Sequence, residues 1–182
     1  MSILHQGEME LPYDEPLDSV IIEDPLGLLK KEPAMTEVGV ATIKGGHMVA
    51  NTHVTYANGC ALAPALHGKT AEVNEAYVAE IPRQSINLDG NWNKDDAYPA
   101  SCPFDRYKIY DGLKFWAKCD NKTFTAEALL CHAANGLLDA IGDPDGETHA
   151  VNAFTYKVLK AVTTKNWVPV VAKGKQMFDN TA

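Results

Sequence analysis

The chain has 182 residues, 46% hydrophobic and 22% charged, a composition suited to one well-buried globular core rather than to disorder. A formal net charge of −8 argues against a nucleic-acid partner, which would call for a concentrated basic patch, and the apolar runs are too short for a membrane-spanning helix. The acidic N-terminus lacks a basic region followed by an apolar run, so no signal peptide is expected and synthesis is placed in the cytoplasm.

Residues 1–36 read as an extended arm. They hold most of the acidity: residues 1–40 carry nine acidic side chains against Lys30 and Lys31, a net of −7. Prolines at 12, 16, 25 and 33 remove backbone donors and hold their predecessors extended, so neither a long helix nor a central strand is expected there. Leu11, Tyr13, Leu17, Val20, Ile21, Ile22, Leu26, Leu28 and Leu29 are nonetheless too many apolar residues for an inert linker. They are the candidate partner-binding residues, and the arm is expected to wrap its own body, a sister subunit or another protein.

Residues 37–182 read as an all-β body, a compact barrel or sandwich of short antiparallel strands. The runs 38-VGVATI-43, 77-YVAEI-81, 107-YKIY-110, 113-LKFWAKC-119, 154-FTYKVLKAV-162 and 167-WVPVVA-172 are rich in β-branched and aromatic residues. Asn58-Gly59, Asp89-Gly90, Asp111-Gly112, Asn135-Gly136 and Asp145-Gly146 supply the positive φ of tight turns. The clearest hairpin is 106-RYKIYDGLKFWAKC-119, and Pro169 places the last strand at an edge or a bulge. For 128-ALLCHAANGLLDAIG-142 the Asn135-Gly136 dipeptide favours a hairpin; the alternative is a short helix over 125–134.

Candidate chemistry is sparse. Cys131 and His132 are adjacent, so in a strand they point to opposite faces and make a poor nucleophile–base pair. His47, His53 and His67 fit no zinc spacing, and the four cysteines at 60, 102, 119 and 131 show no C-x-x-C motif. Buried free thiols are therefore expected, with a Cys119–Cys131 bridge as the alternative. In the polar loop 87-NLDGNWNKDDAYPASCPFD-105, Trp92 and Tyr98 are candidate partner contacts, although folding back to cap the body is favoured. The acidic turn around Asp143, Asp145 and Glu147 reads as turn chemistry. No catalytic residue, metal ligand or cofactor site is assigned.

The Pro-rich arm, 98-YPASCPFDRYKIYDGLKFWAKC-119, the Asn135-Gly136 turn and the closing pair 154-FTYKVLKAVTTKNWVPVVA-172 resemble, in architecture, the small β-barrel decoration (cement) proteins of tailed bacteriophages. The likeness covers about residues 38–172. It implies a non-enzymatic virion protein on the capsid surface, with the major capsid protein as partner and self-association into a homo-oligomer as an option; it implies neither nucleic-acid nor membrane binding. Two alternatives stand beside it: another virion component, such as a head-fibre base or tail-associated barrel, and a ligand-binding or hydrolytic barrel with its site at the 87–105 loop.

Overall fold

The computed structural model describes residues 10–66, 71–82, 93–141 and 150–179. Trp92, His67, Asp89-Gly90 and the acidic turn at Asp143, Asp145 and Glu147 lie outside them. The fold is all-β, with twelve strands among the described residues: β1 (Ile21–Glu23), β2 (Lys30–Thr36), β3 (Met48–Asn51), β4 (Gly59–Leu62), β5 (Ala71–Glu72), β6 (Tyr77–Ala79), β7 (Pro103–Lys108), β8 (Lys114–Phe124), β9 (Leu129–His132), β10 (Leu138–Ala140), β11 (Ala150–Val158) and β12 (Val162–Asp179).

These strands form two units. One is a closed barrel, β2-β4-β3-β6-β7; the other is a sheet in the order β1-β8-β12-β11-β9-β10, with β5 parallel to β11. Strand β10 curls back toward β8, and Lys122 bridges to Asp139 at 2.8 Å across the gap. Alternation along the barrel strands divides their side chains. Val49, Cys60, Tyr77, Ala79 and Phe104 cluster with Ile43 and Tyr98 in one core. Met48, Val78 and Tyr107 instead join Phe115, Trp116, Tyr156 and Trp167 in the main core shared with the sheet.

The favoured hairpin over 128–142 forms, and several other expectations are corrected. Residues 125–134 contain no α-helix: β9 pairs with β10 in the register Leu138↔His132 and Ala140↔Leu130. The chain reverses through Ala134–Gly136, where Asn135 and Gly136 take positive φ, 60° and 68°, and Leu137 N donates to Ala134 O. Asp111-Gly112 does mark a turn, but β7 and β8 do not pair with each other. Of the two residues only Gly112 has positive φ, at 98°, so the turn is not of the hairpin-favouring primed type. The chain leaves the barrel there and enters the sheet. Residues 38–43 are no strand; Val40 N donates to Glu37 O in a turn with Gly39 at φ 79°.

The arm boundary also moves. Lys30–Thr36 is a barrel strand, antiparallel to β7 and parallel to β4, despite Pro33. Met35 N donates toward β4, to Asn58 O at 3.1 Å, so the Pro33 nitrogen two residues earlier faces the same side. Pairing with β4 begins only at Met35, and no ladder bond is lost. Pro169 sits in β12, which is central in the sheet and not at an edge. Its carbonyl accepts from Leu159 N at 2.9 Å, so its nitrogen faces β11 just where that strand ends at Val158. The register shifts involving β12 fall on either side of Pro169, between Val162 and Trp167 and between Lys173 and Lys175.

Gly46 joins the two units. Its N–H donates to Ala79 O in the barrel and its carbonyl accepts from Lys118 N in the sheet, both at 2.9 Å. Its φ is 80°, and an added Cβ would lie 2.3 Å from Cζ3 of Trp167. Gly46→Ala is therefore expected to destabilise the protein by about 2–4 kcal/mol through backbone strain and overlap with the indole. Urea denaturation of the two proteins measures this; equal midpoints would show that the junction tolerates a side chain.

Candidate interaction surface

Among the described residues no three His, Cys, Asp or Glu side chains are grouped to hold a metal ion. The predicted chemical residues are dispersed. His132 is buried in the sheet core, its Nε2 2.9 Å from the Tyr156 hydroxyl, while Cys131 occupies the other face of β9. Burial pushes the His132 pKa down to about 4 and the Cys131 thiol up to about 12. His53 contacts Ala57 O at 2.6 Å in an exposed turn. His47 accepts from Lys44 N at Nδ1, which leaves the ring proton on Nε2; burial, then the charges of Lys118 and Lys44, lower its pKa to about 4. All four cysteines are free thiols, so the Cys119–Cys131 bridge is not formed. Tyr98 is not a surface contact: it is 5% exposed, and its hydroxyl donates to Glu80 O at 2.6 Å.

The barrel interior is filled. Arg106 of β7 reaches the other four strands: it contacts Glu32 of β2, Asn51 of β3 and Cys60 of β4, and lies 3.8 Å over the Tyr77 ring of β6. Burial opposes ionisation of Glu32, but hydrogen bonds from Lys30 and Arg106 still hold its carboxyl below the usual range.

The arm divides into three parts. Its anchor is Glu80, only 1% exposed. This carboxylate accepts from Ser19 Oγ at 2.6 Å, Val20 N at 2.9 Å, Tyr107 OH at 2.6 Å and Ile81 N at 2.8 Å. Val20 is fully buried, and Leu11, Ile21, Ile22 and Leu29 pack against the same core. The middle of the arm thus belongs to its own body.

The second part is the turn between β1 and β2. Asp24 accepts from Leu28 N at 3.0 Å, Leu29 N at 3.2 Å and the Tyr110 hydroxyl, and its carbonyl accepts from Gly27 N. The Tyr110 bond is the main cause holding the Asp24 carboxyl below its ordinary range. Pinned in this way, the turn presents Leu26 and Leu28 at 63% and 62% exposure.

The third part, residues 10–18, crosses a cleft of about 1000 Å³ lined by Lys44, His47, Lys118, Lys165 and Trp167. Asp14 bridges to Lys160 at 3.1 Å and Lys165 at 3.3 Å, and Glu15 pairs with Lys94. The two lysines hold the Asp14 carboxyl below its usual range. Within the cleft Lys118 lies 3.8 Å over the Trp167 ring and pairs with Asp95 at 2.6 Å. A basic complement to the acidic arm is therefore present on the arm's own body.

No protein-family model matches this chain, and no curated protein is significantly similar to it. Its surface chemistry has to be read from its own residues.

Sequence reasoning singled out neither Glu80 nor Arg106. Glu80 stood as a lone charge in the strand-like run 77-YVAEIP-82, a pattern that marks a buried charge with partners elsewhere, whereas Arg106 in 103-PFDRYK-108 was masked by Asp105 and Lys108 beside it. Glu80→Ala is expected to cost at least about 3 kcal/mol, because buried donors on Val20 and Tyr107 lose their acceptor. It should also expose the Ser19–Val20 segment to protease. Unchanged stability and digestion would rule out the carboxylate as the arm's anchor.

The two buried histidines set a pH dependence. Their folded pKa values, about 4, lie below the unfolded 6.5, so the unfolded chain binds more protons between these limits. Their contribution is complete above about pH 6.5 and is lost as pH falls toward 4, with a slope of up to about 2.7 kcal/mol per pH unit for the pair. Replacing His132 with Gln should shallow the decline of unfolding free energy across that window; an unaltered profile would contradict the assignment.

Proposed function

We propose that this protein is a structural virion component that binds the outer surface of a tailed-phage capsid and bridges neighbouring major capsid subunits. The observation that carries this reading is the locked turn after β1, where Leu26 and Leu28 project from a backbone fixed by Asp24. Large apolar side chains on a fixed backbone lose less conformational freedom when a partner covers them than those on a loose loop, which suits an anchor rather than a tether. Tyr13 at 53% exposure and Leu17 at 48% add a second apolar element along the arm. The remaining arm residues are occupied by the protein's own core, so partner contact narrows to these four. Attachment to a head fibre or tail would use the same surface on a different partner.

Truncation before Glu37 would remove β1 and β2 and open the barrel, so point substitutions are the better test. Leu26→Ser with Leu28→Ser should leave the far-ultraviolet circular dichroism unchanged. It should weaken co-sedimentation with capsids from the native source at least about tenfold, the equivalent of about 1.4 kcal/mol. Undiminished binding by a folded double variant would remove the turn from the interface, and failure of the unaltered protein to pellet with capsids would end the capsid reading.

A further inference from the structure

The third part of the arm is held differently from the rest. From Ser19 onward the chain is fixed by Glu80 and by pairing of β1 with β8. Before Ser19 the hold is mainly ionic: Asp14 and Glu15 on Lys94, Lys160 and Lys165, with Lys160 Nζ also donating to Leu11 O at 3.2 Å. The Asp14 and Glu15 side chains are 58% and 49% exposed. Exposed pairs of this kind contribute little each and weaken with salt.

Packing adds only two side chains, Leu11, partly buried against the main core, and the buried Pro16, while Pro12, Tyr13, Asp14, Glu15 and Leu17 stay exposed. Segment 12–17 is flanked by the cleft of about 1000 Å³ on one side and a hollow of about 270 Å³ on the other. A segment bordered by open space on both sides forgoes the close contacts that fix a core strand. Lifting it leaves Lys44, Lys94, Lys118, Lys160 and Lys165 facing solvent, with Asp95 and Asp120 the acids remaining there.

We propose that residues 10–17 are an exchangeable strap, and that the lysine track beneath them docks the same acidic segment of a second copy of this chain. The complementarity is already built, because the track's observed occupant is that segment. The same ion pairs form whether the strap comes from its own chain or a neighbour, so exchange changes connectivity without requiring new contacts. Eight residues pivoting before Ser19 reach about 26 Å when extended. At low concentration the chain's own strap wins by proximity; where copies are crowded, the neighbour's competes. This concerns contact between copies and does not depend on the capsid reading.

The test uses the unmodified chain without capsids. Unlabelled and ¹⁵N-labelled protein are mixed at about 1 mM, the local concentration that tethered neighbours reach, and treated with a carbodiimide. The reagent joins an ion-paired carboxylate and lysine as an amide with loss of water. Mass spectrometry then reads the isotope content of peptides joining Asp14 to Lys160 or Lys165, and Glu15 to Lys94. Exchange predicts mixed-isotope peptides on the order of a tenth of the total or more, falling on dilution. Linked peptides of one isotope only would overturn the proposal, as would the absence of any link from Asp14 or Glu15 to these lysines.

Discussion

A carboxylate only 1% exposed must find hydrogen-bond donors or lose its charge, and Glu80 finds them on three separate stretches of chain. Ser19 and Val20 come from the arm, Tyr107 from β7, and Ile81 from the residue just after Glu80. Because two of the donors lie before β1, satisfying Glu80 draws the N-terminal segment across the body and sets where β1 meets β8. The position of the turn that displays Leu26 and Leu28 follows from that one requirement. So does the division of the arm into a fixed part and a part held by surface charge.

The barrel meets a similar demand in its interior. Arg106 joins five strands through one guanidinium, with Glu32 beside it as counter-charge. A barrel interior occupied by Arg106, Tyr77 and Phe104 works as a packed core rather than a ligand chamber. Rigidity passes outward to the sheet through Met48, Val78 and Tyr107, which share the main core with Trp116 and Trp167. The two β-units thus lie on either side of one hydrophobic mass, with the Gly46 backbone hydrogen-bonded to both.

The all-β class was legible in the β-branched runs and the glycine turns, and the hairpin over 129–140 was legible because Asn135-Gly136 determines its own local geometry. Features that depend on distant partners were not legible. Asp111-Gly112 marks a turn, but which sheet each flanking strand joins is decided by cores elsewhere. Pro33 and Pro169 were read as excluding central strands because the direction of a proline nitrogen cannot be seen before the neighbours are known. The arm was read as separate because Ser19 and Val20 meet Glu80 some sixty residues later. Its apolar residues looked equivalent in the sequence, and only burial separates Val20, committed to the core, from Leu26 and Leu28, left outside.

The order of the strands along the chain also governs how the protein emerges from the ribosome. Every barrel strand lies within residues 30–108, so that unit is complete while the rest is still being made. The sheet has the opposite arrangement, since its central strand, β12, is the last to be synthesised. Until Val162–Asp179 appear, β8 and β11 have no common neighbour, and Phe115 and Tyr156 lack the strand that draws them together. A nascent chain therefore carries a finished barrel beside an unclosed apolar face. Any product that stops short of β12 would keep that face, a form of incompleteness that chaperones and proteases can recognise.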